Sequence, residues 1–112
     1  MRMPPATLAW MMLLAAGLME VGWVYLMKLT EGFTRLWPSV AFFAVSFASF
    51  YLLSAAVKVL PIGTAYAVWT GIGAVGAALL GILLYHEPAH APRLIAIGMI
   101  VAGIVLLKAT SP

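Results

Sequence analysis

The residue with the clearest chemical potential is a carboxylate, Glu20, at the middle of a long apolar stretch. It is the only acidic residue inside an apolar run, since Glu31 and Glu87 lie in polar connections. Burying an ionised side chain at the centre of a membrane costs at least about 2.5 to 3.5 kcal/mol, so such residues are usually paired and functional. Every Lys and Arg lies at the end of an apolar run. Glu20 is therefore predicted to be protonated, or to pair with a mobile cation from outside the chain.

Aromatic and small side chains are predicted to surround this carboxylate. Gly17 and Trp23 each lie three residues from Glu20, so they share its helical face. Trp23 lies too deep for the interfacial belt in which membrane tryptophans usually sit. Further along the chain, Tyr66 and Trp69 are three residues apart and also share a face. Taken together, these residues predict an acidic, aromatic-lined site for a delocalised cation.

Two serines in the second apolar run, Ser46 and Ser49, are also three residues apart. A serine in a membrane helix most often donates its hydroxyl to its own backbone carbonyl four residues back. The alternative interpretation is that these hydroxyls donate to Glu20. Both interpretations remain open from the residues alone.

Two further motifs match known sites only superficially. Residues 71–76 read GIGAVG and match the dinucleotide fingerprint, but no strand precedes them and no acidic residue follows about 20 positions on. Inside an apolar run these glycines favour close helix packing or a bend. His86 and His90 are four apart, yet Pro88 breaks the helix that would align them on a metal. We therefore expect no cofactor and no metal, and a single membrane carboxylate does not make an enzyme.

The composition shows which elements must position these residues. The chain has 112 residues, is 65% hydrophobic and 8% charged, and has a mean hydropathy of +1.12, which lies far outside soluble composition. A membrane helix needs about 20 residues, which leaves room for four spans with short connections. We predict an all-α, four-transmembrane-helix protein that forms a single membrane domain over residues 1–112. The predicted spans are 8–27, 38–57, 62–85 and 93–108.

The positive charges show no bias toward either side of the membrane. Four crossings divide the six basic residues equally, with Arg2, Lys58 and Lys108 on one side and Lys28, Arg35 and Arg93 on the other. The positive-inside rule then favours neither orientation, so copies inserted both ways up could form an inverted-topology pair. The basic residues are spread along the chain, and no patch suited to nucleic acid is predicted.

These residues give the chain a clear resemblance to the small multidrug resistance family. The shared strings are GLMEV at 17–21, GFTR at 32–35, SFY at 49–51 and PIGTAYAVWTGIG at 61–73. Within that family, Trp23, Lys58 before the Leu-Pro turn and the ending at 107–110 resemble the guanidinium exporter subtype. The polyaromatic-drug subtype typically has glycine where Trp23 stands.

The resemblance implies a proton-coupled antiporter in the bacterial inner membrane that exports guanidinium or related small organic cations. It implies an antiparallel, dual-topology homodimer in which two copies of Glu20 bind either protons or substrate. The residues that it implies line this site are Gly17, Trp23, Ser49, Tyr66 and Trp69.

Two alternatives stay open at this point. In the same class, the protein would be a broad-specificity exporter of quaternary ammonium and other multidrug cations. In a different class, it would be a non-transporting membrane subunit, with a protonated Glu20 hydrogen-bonded between helices.

Overall fold

The computed structural model describes residues 5–110, and this part of the chain is all-α. Its four helices are α1 (Pro5–Leu29), α2 (Leu36–Ala56), α3 (Ile62–Leu84) and α4 (Ala91–Thr110). Each helix is long and apolar enough to cross a membrane, judged by length and composition. The prediction of an all-α chain with four membrane-spanning helices is confirmed.

The polar connection after α1 reverses the chain within a few residues. The Thr30 hydroxyl donates to the Met27 carbonyl at 2.7 Å and accepts the Phe33 backbone N–H at 3.1 Å. Glu31, Gly32 and Phe33 then take left-handed φ angles of 49°, 76° and 65°. Glycine adopts such a φ without the steric cost that a side chain brings, which makes Gly32 the natural residue at the tip of this turn.

Helix α4 extends beyond the apolar stretch at 94–107, because polar residues at both ends of that stretch are helical. At its start, the His90 ring Nδ1 accepts the Arg93 backbone N–H at 3.4 Å, and the Arg93 guanidinium pairs with the Glu87 carboxylate. The helix has 20 residues, or about 30 Å at 1.5 Å per residue. This length matches the hydrocarbon thickness of a bilayer.

Glycines set the distance between the helices. A Cβ at Gly17 of α1 would lie 2.8 Å from Ile72 of α3, and one at Gly76 of α3 would collide with Val21 of α1. On another side of α3, a Cβ at Gly71 would lie 3.0 Å from Ile104 of α4. Of the two roles predicted for the glycines, close packing is therefore the one that these contacts show, within a helix α3 that runs unbroken from residue 62 to 84.

The buried core is small and lies where α1, α2 and α3 meet. Its members are Ala9, Trp10, Leu13, Ala16, Ala56, Leu60, Ala65, Val68 and Trp69. Helix α4 packs on α3, and no residue of α4 is buried. On α4, a Cβ at Gly98 or Gly103 would meet nothing within 4 Å. Most apolar surface of the described chain is thus left for lipid or for another protein surface.

Candidate functional site

The carboxylate of Glu20 points from the middle of α1 onto the backbone of α3. It lies directly against Gly73, where a Cβ would collide with the carboxyl carbon and both of its oxygens. Its Oε1 atom is buried and has no hydrogen-bond partner among residues 5–110. The ion pair that this part of the chain does contain, between Arg93 and Glu87, lies in the connection before α4. Packing against Gly73 therefore positions the carboxylate, and its Oε1 atom remains free to accept a hydrogen bond.

Trp23 lies one helical turn from Glu20 and also carries a buried polar atom without a partner in the described chain. Its indole Nε1 is buried and, within the described residues, lacks a hydrogen-bond acceptor. Its ring packs edge-on against Phe42, with centroids 5.5 Å apart, and lies tilted against Phe50 at 6.5 Å. A buried polar atom without a partner normally costs about 1 to 3 kcal/mol, so native structures retain few of them. Of these two atoms, the Glu20 oxygen can accept a hydrogen bond from a bound donor, whereas the Trp23 N–H can only donate to an acceptor.

A chain of hydrogen bonds joins the three core helices beside this face. The Trp69 indole Nε1 on α3 donates to the Ser49 hydroxyl on α2 at 3.0 Å, and that hydroxyl donates to the Ala16 carbonyl on α1 at 2.8 Å. Ser49 is fully buried. Its neighbour Ser46 donates to its own helix, at the Phe42 carbonyl. Ser46 thus follows the general rule for membrane serines, whereas Ser49 bonds to another helix and not to Glu20.

Tyr66 lies at the outer edge of the same aromatic surface. Its ring centroid is 5.6 Å from that of Trp69, which in turn lies 5.4 Å from the ring of Phe50. Tyr66 is 56% exposed, so the described chain leaves this end of the surface open. Together with Trp23, these rings form a continuous aromatic strip across α1, α2 and α3. Ring faces of this kind attract cations, most strongly when water is excluded.

The remaining predicted residue, Gly17, is not open to this surface. It is buried under the Ile72 side chain at the contact between α1 and α3. Its effect on the site is to let α3 approach closely enough for Gly73 to meet Glu20. The structure thus places Gly17 behind the carboxylate and the aromatic residues around it.

Sequence reasoning missed three residues that contact the predicted ones. Phe42 and Phe50 supply rings against Trp23, and Gly73 supplies the surface on which the Glu20 carboxylate rests. The glycine pattern at 71–76 is the available signal, but on its own it indicates only close helix packing or a bend. Phe42 carries no distinguishing signal among the apolar residues of the second span, and Phe50 is distinguished only as part of the shared string SFY at 49–51.

The arrangement suits a planar cation with several N–H donors. A carboxylate with free lone pairs can accept two such donors in parallel, and neighbouring rings can stack on the delocalised charge. Among the described residues, no group of three or more His, Asp or Glu side chains could hold a metal ion. Glu20 is the acidic side chain that the aromatic rings on α1, α2 and α3 adjoin, and it could balance the charge of such a cation.

Comparison with known proteins identifies the family of the chain. Residues 8–100 match the family model of the Small Multidrug Resistance protein. The chain is 56% identical over 101 residues to the guanidinium exporters of Citrobacter freundii and Salmonella typhimurium, which covers 90% of this chain and 96% of each relative. It is 52% identical over 104 residues to the guanidinium exporter of Yersinia pseudotuberculosis, which covers 93% of this chain and all of that relative. The chain therefore belongs to the small multidrug resistance family.

Proposed function

We propose that this protein is a proton-coupled antiporter that exports guanidinium through a site centred on Glu20. The similarity to relatives named guanidinium exporters extends over nearly their whole length, which supports export of a small cation. The four apolar helices and the family membership make the chain a multi-pass protein of the bacterial inner membrane. A membrane location and an organic-cation site are the two requirements of such an exporter.

The single observation that carries the proposal is the open carboxylate oxygen on the face of α1 that also carries an aromatic ring. Glu20 Oε1 is buried and unpaired in the described chain, and the Trp23 ring lies one turn away. Guanidinium is planar, permanently charged and rich in N–H donors that fit a carboxylate in bidentate fashion. In the loaded state Glu20 accepts two of these N–H groups, and the Trp23 ring covers a face of the cation. In the unloaded state a proton on Glu20 removes the charge.

Transport further requires that the site can face both sides of the membrane. The even division of basic residues supports a homodimer of two oppositely inserted copies, and Tyr66 and α4 leave surface for the second copy. Two Glu20 carboxylates in one dimer would titrate as a coupled pair. Protons and guanidinium compete for the same carboxylates. A dimer that turns its site to the other side of the membrane only when protons or guanidinium are bound would therefore exchange protons for guanidinium.

Proton release tests this proposal directly. Guanidinium is added to the detergent-purified protein in weak buffer, and tetraphenylphosphonium serves as the bulky comparison. We expect guanidinium to release protons from the wild type and not from Glu20→Gln. The matched control is Glu31→Gln, which makes the same substitution at an exposed carboxylate in the connection after α1 and should release protons as the wild type does.

Each outcome has a defined meaning. Release by guanidinium alone supports the guanidinium exporter, and equal release by tetraphenylphosphonium supports the broad multidrug exporter instead. Release by neither cation would point to a non-transporting subunit. Full release from Glu20→Gln would remove Glu20 from the mechanism.

A further inference from the structure

A long apolar groove separates α1 from α4 on the outside of the bundle. No Cα atom of α4 comes within 8 Å of a Cα atom of α1 in the described chain, although both helices pack on α3. Between them lie two cavities of about 540 Å³ and 330 Å³ that share Leu14, Ile104 and Val105 in their walls. Because the same three side chains line both cavities, the two volumes adjoin, and together they make up the groove.

One end of this groove carries a positive charge. The Lys108 ammonium lies 5.0 Å from the centroid of the Trp10 ring, across the mouth of the larger cavity. Lys108 is the one charged residue among the described residues that line the two cavities. A cation held against an aromatic ring at the end of a membrane helix lies where lipid headgroups begin.

The length of the groove corresponds to one leaflet of a bilayer. Its wall on α1 extends from Trp10 to Val21, which is about 16 Å at 1.5 Å per residue. Half of a hydrocarbon core of about 30 Å has nearly this depth. The inner part of the groove is entirely apolar and is closed at its base by Ile72 and Val75 of α3. Its shape therefore fits an extended acyl chain that descends from the membrane surface.

We propose that this groove binds an anionic phospholipid, with an acyl chain between α1 and α4 and the phosphate against Lys108. The charge at the mouth selects a negative headgroup, and the apolar walls accept the chain. The transported cation is a poor occupant, because the lining offers it no carboxylate and places an ammonium at the entrance. The inference is independent of the proposed transport function, since none of the residues that carry it belongs to the Glu20 site.

Native mass spectrometry of the full-length protein tests the headgroup. The protein in mild detergent receives equimolar phosphatidylglycerol and phosphatidylcholine with identical palmitoyl and oleoyl chains. One basic residue near a membrane surface favours an anionic lipid by an amount that corresponds to about fivefold. We expect the wild type to retain phosphatidylglycerol with about this preference, and Lys108→Gln to retain both lipids equally. Lys58→Gln, which removes an exposed cation from the same side of a four-span chain, should keep the preference.

Filling the groove tests the acyl chain. Val101 lines the inner cavity, whereas Ile95 lies on the same helix outside the walls of both cavities, and both side chains are exposed. We expect Val101→Trp to lower retention of phosphatidylglycerol, and Ile95→Trp to leave it unchanged.

Three results would overturn the proposal. A wild type without headgroup preference would remove the role of Lys108. Equal losses in Lys108→Gln and Lys58→Gln would show diffuse attraction to surface charge. Undiminished retention of phosphatidylglycerol by Val101→Trp would show that the acyl chain does not lie in the groove.

Discussion

Replacing Gly73 with alanine would test whether the position of the Glu20 carboxylate determines cation binding. The added methyl group would occupy the space that the carboxyl carbon and its oxygens now fill. A carboxyl group is the far end of a flexible side chain, so the side chain can move while the helices stay in place. The substitution should therefore displace the charged group from its present position and leave the rest of the fold intact.

The expected effect on binding exceeds the effect on stability. Alanine favours a helix over glycine by about 1 kcal/mol, which offsets part of the cost of about 1 to 3 kcal/mol for overpacking. A displaced carboxylate, by contrast, loses one charge-assisted hydrogen bond to guanidinium, worth about 1.5 to 3 kcal/mol. Gly73→Ala should thus raise the Kd for guanidinium by about 10-fold to about 100-fold.

Calorimetric titration of detergent-purified protein with guanidinium measures this Kd. Gly98→Ala is the matched control, because a Cβ at Gly98 meets nothing within 4 Å. It should bind guanidinium as the wild type does. Adding Glu20→Asp to Gly73→Ala shortens the acid by one methylene and should recover part of the lost affinity, a non-additive result. A folded Gly73→Ala protein with the wild-type Kd would refute the inference that contact with Gly73 positions the Glu20 carboxylate for binding.

Two further predictions concern the hydrogen-bonded core and the competition with protons. Ser49→Ala removes the acceptor of the Trp69 indole, so unfolding in a denaturing detergent series should show a loss of about 1 to 3 kcal/mol. Ser46→Ala, which removes a bond within its own helix, should cost less, and equal losses would contradict the cross-helix role of Ser49. In the pH range where Glu20 titrates, the Kd for guanidinium should rise up to tenfold for each unit of falling pH per proton displaced. A Kd that is independent of pH throughout the stable range of the protein would contradict competition.

Most of the fold is predictable from this sequence because the membrane limits the choices. Backbone groups in hydrocarbon must be satisfied within the segment, so long apolar runs in a chain of this size become helices. Proline and the charged residues then mark where these runs are interrupted, as at Pro61 and in the connection at 85–90. The close approach of α1 to α3 was also foreseeable as a general consequence of small residues. Which small residue meets which neighbour was not, since that depends on the relative rotation of two helices.

The dependence of contacts on helix rotation also explains which site residues the sequence did not predict. Glu20 and Trp23 can be recognised in the sequence by residue type alone, because a carboxylate or a deep indole in a membrane helix requires an explanation. Gly73 has no side chain, and its importance comes only from the group that rests on it. The partner of Ser49 also depends on helix rotation, since a serine satisfied by its own helix and one that reaches across look identical in sequence. Residues that act through tertiary contact are therefore the ones that the sequence alone conceals.

The incomplete enclosure of the site bears on how so short a chain could transport anything. Its helices bury the Glu20 Oε1 atom and the Trp23 indole nitrogen, yet leave Tyr66 largely exposed and α4 without a buried residue. A cation bound there would remain accessible from one side of the described chain, and a carrier must close its site before it changes facing. Closure then requires surface from elsewhere, and in the proposed homodimer a second copy with its own Glu20 would supply both the surface and a second carboxylate. On this reasoning one chain supplies part of the binding site, and the proposed homodimer would complete it at the exposed aromatic edge beside Tyr66.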